Sequence, residues 1–195
     1  MRKFLLATAL CAFAAGGAQA EEADGPGPNL VLEIGGAGFE GKPGKVVIDL
    51  YEDAAPQHVK RIVQLANEHA YDDVIFHRVI AGFMAQTGDV QFGKRDGADA
   101  SMAGMGGSKY QDLPAEFSDK PFVRGTVGMA RSSDPNSANS QFFIMFASAP
   151  HLDGQYTVVG KVIEGMDVVD KIRKGNPGAN GLVSDPDFIQ SATID

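Results

Sequence analysis

The densest group of chemically competent side chains lies in residues 76–89, FHRVIAGFMAQTGD. Residues 74–80 and 83–87 read as two short apolar strands joined at Ala81-Gly82, where the backbone can bend. Side chains two apart on a strand share a face. This spacing predicts Arg78 beside Phe76 and Ile80, and Met84 beside Gln86, while His77 points to the opposite face in a structural role. A guanidinium, a carboxamide and large apolar groups on one patch offer hydrogen-bond donors and an apolar floor, but no nucleophile. Such a surface suits holding an amide rather than cleaving one.

Other chemistries lack the residues they need. The four histidines (His58, His69, His77 and His151) show no ligand spacing and have no cysteine company, so neither a metal site nor a cofactor is expected. Ser132, Ser133 and Asp134 sit in a polar turn without a G-x-S-x-G context. GMGG, residues 104–107, is not followed by Gly-Lys-Ser/Thr and lies in no strand-loop-helix context, so it is read as a loop over the site rather than a phosphate cradle. The chain carries 17 basic and 25 acidic residues. An acidic chain without a basic cluster fits neither nucleic acid nor an anionic membrane. The one basic run, residues 171–174, ends a predicted helix and complements its dipole.

Arg2 and Lys3, the apolar run of residues 4–15 and the small-x-small Ala18-Gln19-Ala20 read as a secretory signal peptide, with cleavage after Ala20. The apolar run is shorter than the roughly 20 residues a membrane span needs. Cleavage would remove the single cysteine and leave 15 basic against 25 acidic residues, a net charge of −10 with no possible disulfide. The expected destination is a periplasm, with full secretion as the other possibility, and no membrane association after cleavage. Residues 21–29 read as a flexible leader and residues 30–195 as one domain.

Strands are predicted at residues 30–34, 46–51, 126–130, 141–147, 156–162 and 188–194. A helix starting at Pro56 would bury Val59, Ile62, Val63 and Ala66 and turn Lys60, Arg61, Gln64 and Asn67 to water. A second helix is predicted over residues 166–174. In 141–147, Gln141, Phe143 and Met145 share one face, with Phe142, Ile144 and Phe146 opposite. Both faces are apolar, which fits either an outward binding patch or burial on both sides. Strands of this number with two helices favour a mainly β, closed antiparallel barrel over a sandwich. Large apolar residues at inward positions argue against a ligand-carrying lumen.

FHRVIAGFMAQTGD, then GMA (128–130), NSQFFI (139–144), HLDG (151–154) and VVGKVIEGMDVVDKI (158–172) occur in an order and spacing that resembles the cyclophilin family of peptidyl-prolyl cis-trans isomerases. The resemblance covers roughly residues 30–194. It implies a closed eight-stranded antiparallel barrel capped by two α-helices, with a groove on the outer face that takes proline-containing polypeptides as a cofactor-free monomer. By matching position, the catalytic arginine is Arg78, assisted by Gln86. Phe83, Met84, Phe143 and Leu152 would form the proline pocket, and Ala130, Arg131 and Gln141 the edge that receives the substrate backbone. His151 and Tyr156 would complete the binding site. The implied role is to assist the folding of exported proteins. A non-catalytic proline-peptide-binding module or holdase on the same barrel is the alternative.

Three positions depart from the family pattern. His151 stands where well-known eukaryotic members carry tryptophan, Tyr156 where histidine is usual, and Arg131 where asparagine is common. The chain has no tryptophan, so the indole donor is lost. Weak cyclosporin binding is therefore expected, and a titration that saturated at nanomolar inhibitor would contradict it.

Overall fold

The computed structural model describes residues 24–97 and 100–195. The expected signal peptide and residues 21–23 of the expected leader lie outside the described residues. Within the rest of that leader, the Gly25 N–H donates to Asp49 Oδ2 at 3.2 Å and the Pro28 carbonyl accepts from Leu50 N–H at 3.1 Å.

Alternating apolar residues build β1 (Asn29–Gly35) and β2 (Gly44–Leu50), an antiparallel pair running from Asn29 opposite Asp49 to Ile34 opposite Gly44. On one side the sheet continues through β8 (Val158–Glu164), β6 (Thr126–Met129), β7 (Phe142–Met145), β5 (Met84–Thr87) and β4 (Arg78–Ile80). On the other it continues through β9 (Phe188–Ile194) and β3 (Val74–Ile75). All pairings are antiparallel.

The expected closed eight-stranded barrel is thus corrected to a single curled nine-stranded sheet whose edges, β3 and β4, do not pair with each other. The cause is local. The predicted strand over residues 74–80 breaks at Phe76-His77, and the backbone there turns to a different partner. Phe76 N–H donates to the Asp187 carbonyl at 2.9 Å, Val183 N–H to the His77 carbonyl at 3.2 Å and Val79 N–H to the Gly181 carbonyl at 2.8 Å. The free edge of β4 is therefore covered by residues 175–183, which removes an open template for further pairing.

The break also resets side-chain alternation. Phe76 is fully buried in the interior cluster with Val79, so it does not share a face with Arg78 as expected; Ile80 does. Leu32, Ile48, Tyr71, Phe76, Val127, Phe142 and Ile144 fill the concave side of the sheet. α1 (Pro56–Asn67) closes it with Val59, Ile62, Leu65 and Ala66. α2 (Met166–Lys171) adds Val169 and is three residues shorter than expected, because Ile172 leaves the helical conformation.

Two side-chain predictions for the first helix fail. Arg61, expected in water, is 9% exposed. Its Nη2 donates to the Gln111 carbonyl at 2.9 Å, and the guanidinium lies 5.1 Å from the centre of the Tyr110 ring. Val63, expected in the core, is only half-buried, and Leu65 takes its place. At the other end, the N-cap Ala55 has no side chain able to cap α1. Glu116, remote in sequence, supplies the acceptor instead. Its carboxylate receives the Gln57 and His58 backbone N–H groups at 3.2 Å and His58 Nδ1 at 2.6 Å. Burial alone would raise the Glu116 pKa, but these hydrogen bonds outweigh it and hold the carboxyl below its usual range. Burial lowers the His58 pKa, so the neutral ring donates Nδ1–H to the carboxylate.

Because a borrowed carboxylate caps α1 where the local sequence provides nothing, Glu116→Ala should lower stability by about 2 kcal/mol, the upper end for a lost cap. Urea unfolding should show a lower midpoint with an unchanged slope; an unchanged midpoint would refute the capping role.

Candidate active site

The sheet's antiparallel register lines up one residue from each of four neighbouring strands. Arg78 on β4 lies opposite Gln86 on β5, Gln86 opposite Phe143 on β7, and Phe143 opposite Gly128 on β6. A second row sets Ile80 opposite Met84 and Met84 opposite Met145. Neighbouring strands lie about 4.8 Å apart, so these rows form a continuous floor on the outer face of the sheet. Gly128 is required there by space. A Cβ at that position would come within 2.6 Å of the Phe122 ring and 2.7 Å of the Phe143 ring. Without it the two rings stack, with centroids 5.7 Å apart.

Above this floor is a hollow of about 180 Å³ lined by Arg78, Phe83, Met84, Gln86, Ala130, Arg131, Phe143, Leu152 and Tyr156. All nine were predicted from the sequence, and the fold brings them to one place. Gln141 and His151 are not among the lining residues. Gln141 borders an adjoining hollow with Gly104, Met105, Gly106 and Asn139. His151 is exposed at the rim, its ring stacked at 6.1 Å on Phe83. The β7 residues meet both sequence-based readings. Phe142 and Ile144 belong to the interior cluster, whereas Phe143 and Met145 belong to a second cluster with Met84, Phe122, Leu152 and Val158 on the outside.

Neutral acceptors hold the Arg78 guanidinium. Nη1 donates to Gln86 Oε1 at 3.2 Å and approaches Met84 Sδ at 3.8 Å. Nε donates to the Asn180 carbonyl and Nη2 to Asn180 Oδ1, both at 3.1 Å. Among the described residues no carboxylate pairs with it. Of its five N–H donors, one on Nη2 has no partner among the described residues. Partial burial lowers the Arg78 pKa, yet a guanidinium remains charged at any physiological pH.

Sequence reasoning missed Asn180. The signal that could have found it is the Asn-Gly pair at 180–181, a dipeptide that favours left-handed turns. Both residues are left-handed here, with φ of 52° and 80°, and this turn aims the Asn180 carbonyl and side chain back at β4.

Gln86 continues the chain of contacts. Its Nε2 donates to Gln141 Oε1 at 3.0 Å, and Gln141 Nε2 donates to the carbonyls of Gly104 and Gly106 at 3.0 and 2.8 Å. The N–H groups of the same two glycines donate to Asp89 Oδ2 at 2.8 and 2.9 Å. The Gly-rich loop is therefore anchored at 104–106 through both its donors and its acceptors. His77 lies beneath it, 4% exposed, where a Cβ on Gly104 would meet its ring at 2.9 Å. Burial pushes the His77 pKa down to about 4, against the attraction of Asp89. The ring is therefore neutral near pH 7. Among the described residues, no group of three or more His, Cys, Asp or Glu side chains is placed to hold a metal ion. The site thus combines a fixed cation, a carboxamide relay and an apolar floor open to solvent.

The sequence pattern of the family described as cyclophilin type peptidyl-prolyl cis-trans isomerase/CLD matches residues 37–194. A Brucella suis biovar 1 protein named probable peptidyl-prolyl cis-trans isomerase is 56% identical over 196 residues, covering 100% of this chain and 96% of its own length. Peptidyl-prolyl cis-trans isomerase-like 3 of Rattus norvegicus is 38% identical over 131 residues, 67% of this chain and 77% of its own. The crystal structure of a Hirschia baltica cyclophilin superposes with a TM-score of 0.69 at 25% identity, covering 88% of this chain and 75% of that one. A cyclophilin type isomerase of Cryptosporidium parvum, crystallised in the presence of the dipeptide Ala-Pro, gives 0.69 at 24% identity over 86% and 98% of the two chains. That last likeness bears on the fold alone.

His77 stays neutral in the folded chain down to about pH 4, whereas an unfolded histidine protonates near pH 6.5. Between those values the unfolded chain binds more protons, so stability is lost as pH falls through this window. The loss from this residue should approach about 3 kcal/mol at 1.36 kcal/mol per unit. Urea midpoints at pH 7 and pH 4.5 should differ markedly in the wild type and less in His77→Gln; equal differences would remove His77 as the cause.

Proposed function

The chain belongs to the cyclophilin-type peptidyl-prolyl cis-trans isomerase family, and on that premise we propose that its outer hollow is the isomerase site, with Arg78 as the catalytic group. The observation that carries this reading is the Arg78 guanidinium, charged and without a carboxylate partner among the described residues, lining a hollow that also presents the apolar side chains of Phe83, Met84, Phe143 and Leu152.

An X-Pro amide resists rotation with a barrier of roughly 18–20 kcal/mol because of its resonance. In the half-rotated amide conjugation is broken, and the prolyl nitrogen recovers a lone pair that can accept a hydrogen bond. A donor directed at that nitrogen binds the twisted form more strongly than either planar form, which is the differential binding catalysis requires. Phe83, Met84, Phe143 and Leu152 would seat the pyrrolidine ring and exclude water, which strengthens the electrostatic contact. Gln86 and Asn180 would hold the guanidinium in place so that little reorganisation accompanies the reaction. Ala130 lies at the open edge where an extended peptide can lie, and its own N–H is satisfied by the Gln141 carbonyl at 2.9 Å. No covalent bond forms or breaks.

The signal-like residues 1–20 support export to a periplasm, and the clients would then be proteins that fold after export. The chain would act as a monomer.

Exchange spectroscopy on an Ala-Pro peptide tests the reading. Arg78→Ala should lower the catalysed cis-trans rate about 100-fold, comparable to removing one preorganised donor. Asn180→Ala, which keeps the backbone contact and loses only the side-chain acceptor, should cost about 3- to 10-fold, the scale of one hydrogen bond. If wild type binds the peptide and leaves its exchange at the uncatalysed rate, the chain is a binding module instead.

A further inference from the structure

Two guanidinium groups line the hollow, and Arg78 accounts for only one of them. Arg131 borders both the main hollow and the adjoining one. It lies three residues beyond Gly128, at the β6 end of the row that starts with Arg78 on β4. Three strand spacings of about 4.8 Å separate the two ends, about 14 Å. The two arginines therefore reach the same hollow from backbone positions on different sides of the floor.

Arg131 is fixed in place without being neutralised. Its Nε and Nη2 donate to the Gln155 carbonyl at 3.3 and 2.9 Å, and Nη1 donates to the Ser132 carbonyl at 2.9 Å. Its guanidinium lies 4.4 Å from the centre of the Tyr156 ring. These contacts engage three of its five donors and involve no carboxylate. The nearby acids are committed elsewhere: Asp134 Oδ1 accepts from Asn136 N–H at 2.8 Å, and Asp153 Oδ1 from Phe122 N–H at 2.7 Å. Neither hollow is lined by an aspartate or glutamate, although acidic residues outnumber basic ones 25 to 17 in the chain.

We propose that Arg131 is a specificity-determining residue that favours substrates carrying an acidic side chain directly before or directly after the proline. A planar guanidinium with free N–H groups matches a carboxylate in shape and charge. An extended peptide advances about 3.3 Å per residue. A residue next to a proline seated over Phe143 is then within a long side chain's reach of the β6 end. The surrounding negative charge of the protein does not cancel this local field, because exposed charges beyond about 10 Å are largely screened at 0.1 M salt.

The inference rests on the isomerase reading and is tested with paired peptides that place Glu, Gln or Lys directly before and directly after the proline. For wild type, the better Glu peptide should exceed its Lys counterpart about 5-fold in kcat/KM in 0.1 M sodium chloride, with Gln between. The ratio should shrink in 0.5 M sodium chloride. Arg131→Gln should bring it close to one, and Arg131→Lys, which keeps the charge, should restore most of it. Equal turnover of Glu and Lys peptides by wild type would overturn the proposal, as would a preference that survives Arg131→Gln. If no peptide is turned over, the isomerase reading fails separately. The dissociation constants of the same peptides then decide whether Arg131 selects for acid.

Discussion

A cation held by neutral acceptors is the interaction on which this structure turns. Had a carboxylate faced Arg78, the guanidinium would have been locked in an ion pair and its charge largely spent. Instead Gln86 and Asn180 fix its orientation through amide and carbonyl oxygens, which restrain without neutralising. Two distant parts of the chain must cooperate to do this. The β4–β5 hairpin brings Gln86 opposite Arg78, and the left-handed turn at 180–181 arrives from 102 residues away to close the other side.

The sheet makes this possible because it is apolar on both faces. Its concave side holds the interior cluster closed by α1, and its convex side carries a smaller cluster around Phe122 and Phe143. Each strand through the site thus serves stability on one face and recognition on the other. The Gly-rich loop belongs to the same arrangement. Asp89 takes the N–H groups of Gly104 and Gly106, and Gln141 takes their carbonyls, so the loop, the carboxamide relay and the guanidinium form one connected set of hydrogen bonds.

Much of this was legible in the sequence where a residue's role follows from its own strand. The two-residue period placed Met84 with Gln86 and Phe143 with Met145, and the block pattern assembled the nine lining residues. Legibility ended where the deciding partner is remote. Arg61 reads as a water-facing helix residue, and only the carbonyls of Gln111 and Asn139 explain its burial. Glu116 lies in an irregular stretch, and nothing local marks it as the cap of α1. The break at Phe76-His77 contains neither glycine nor proline. It follows from competition between Asp187 and a continued ladder, which no short window of sequence displays. The expected closed barrel failed at this point, because it assumed one strand where the chain makes two.

The filled interior has a consequence for the kind of chain this protein can serve. Tyr71, Phe76 and Phe142 are fully buried on the concave side, so on the proposed reading recognition would take place on the shallow convex wall. A small dent of this sort accepts a proline presented on a protruding bend. It does not require the rest of the client to be unravelled. If the hollow is the isomerase site, as proposed, such a shallow wall would suit prolines on nearly finished proteins as readily as on freshly emerging ones.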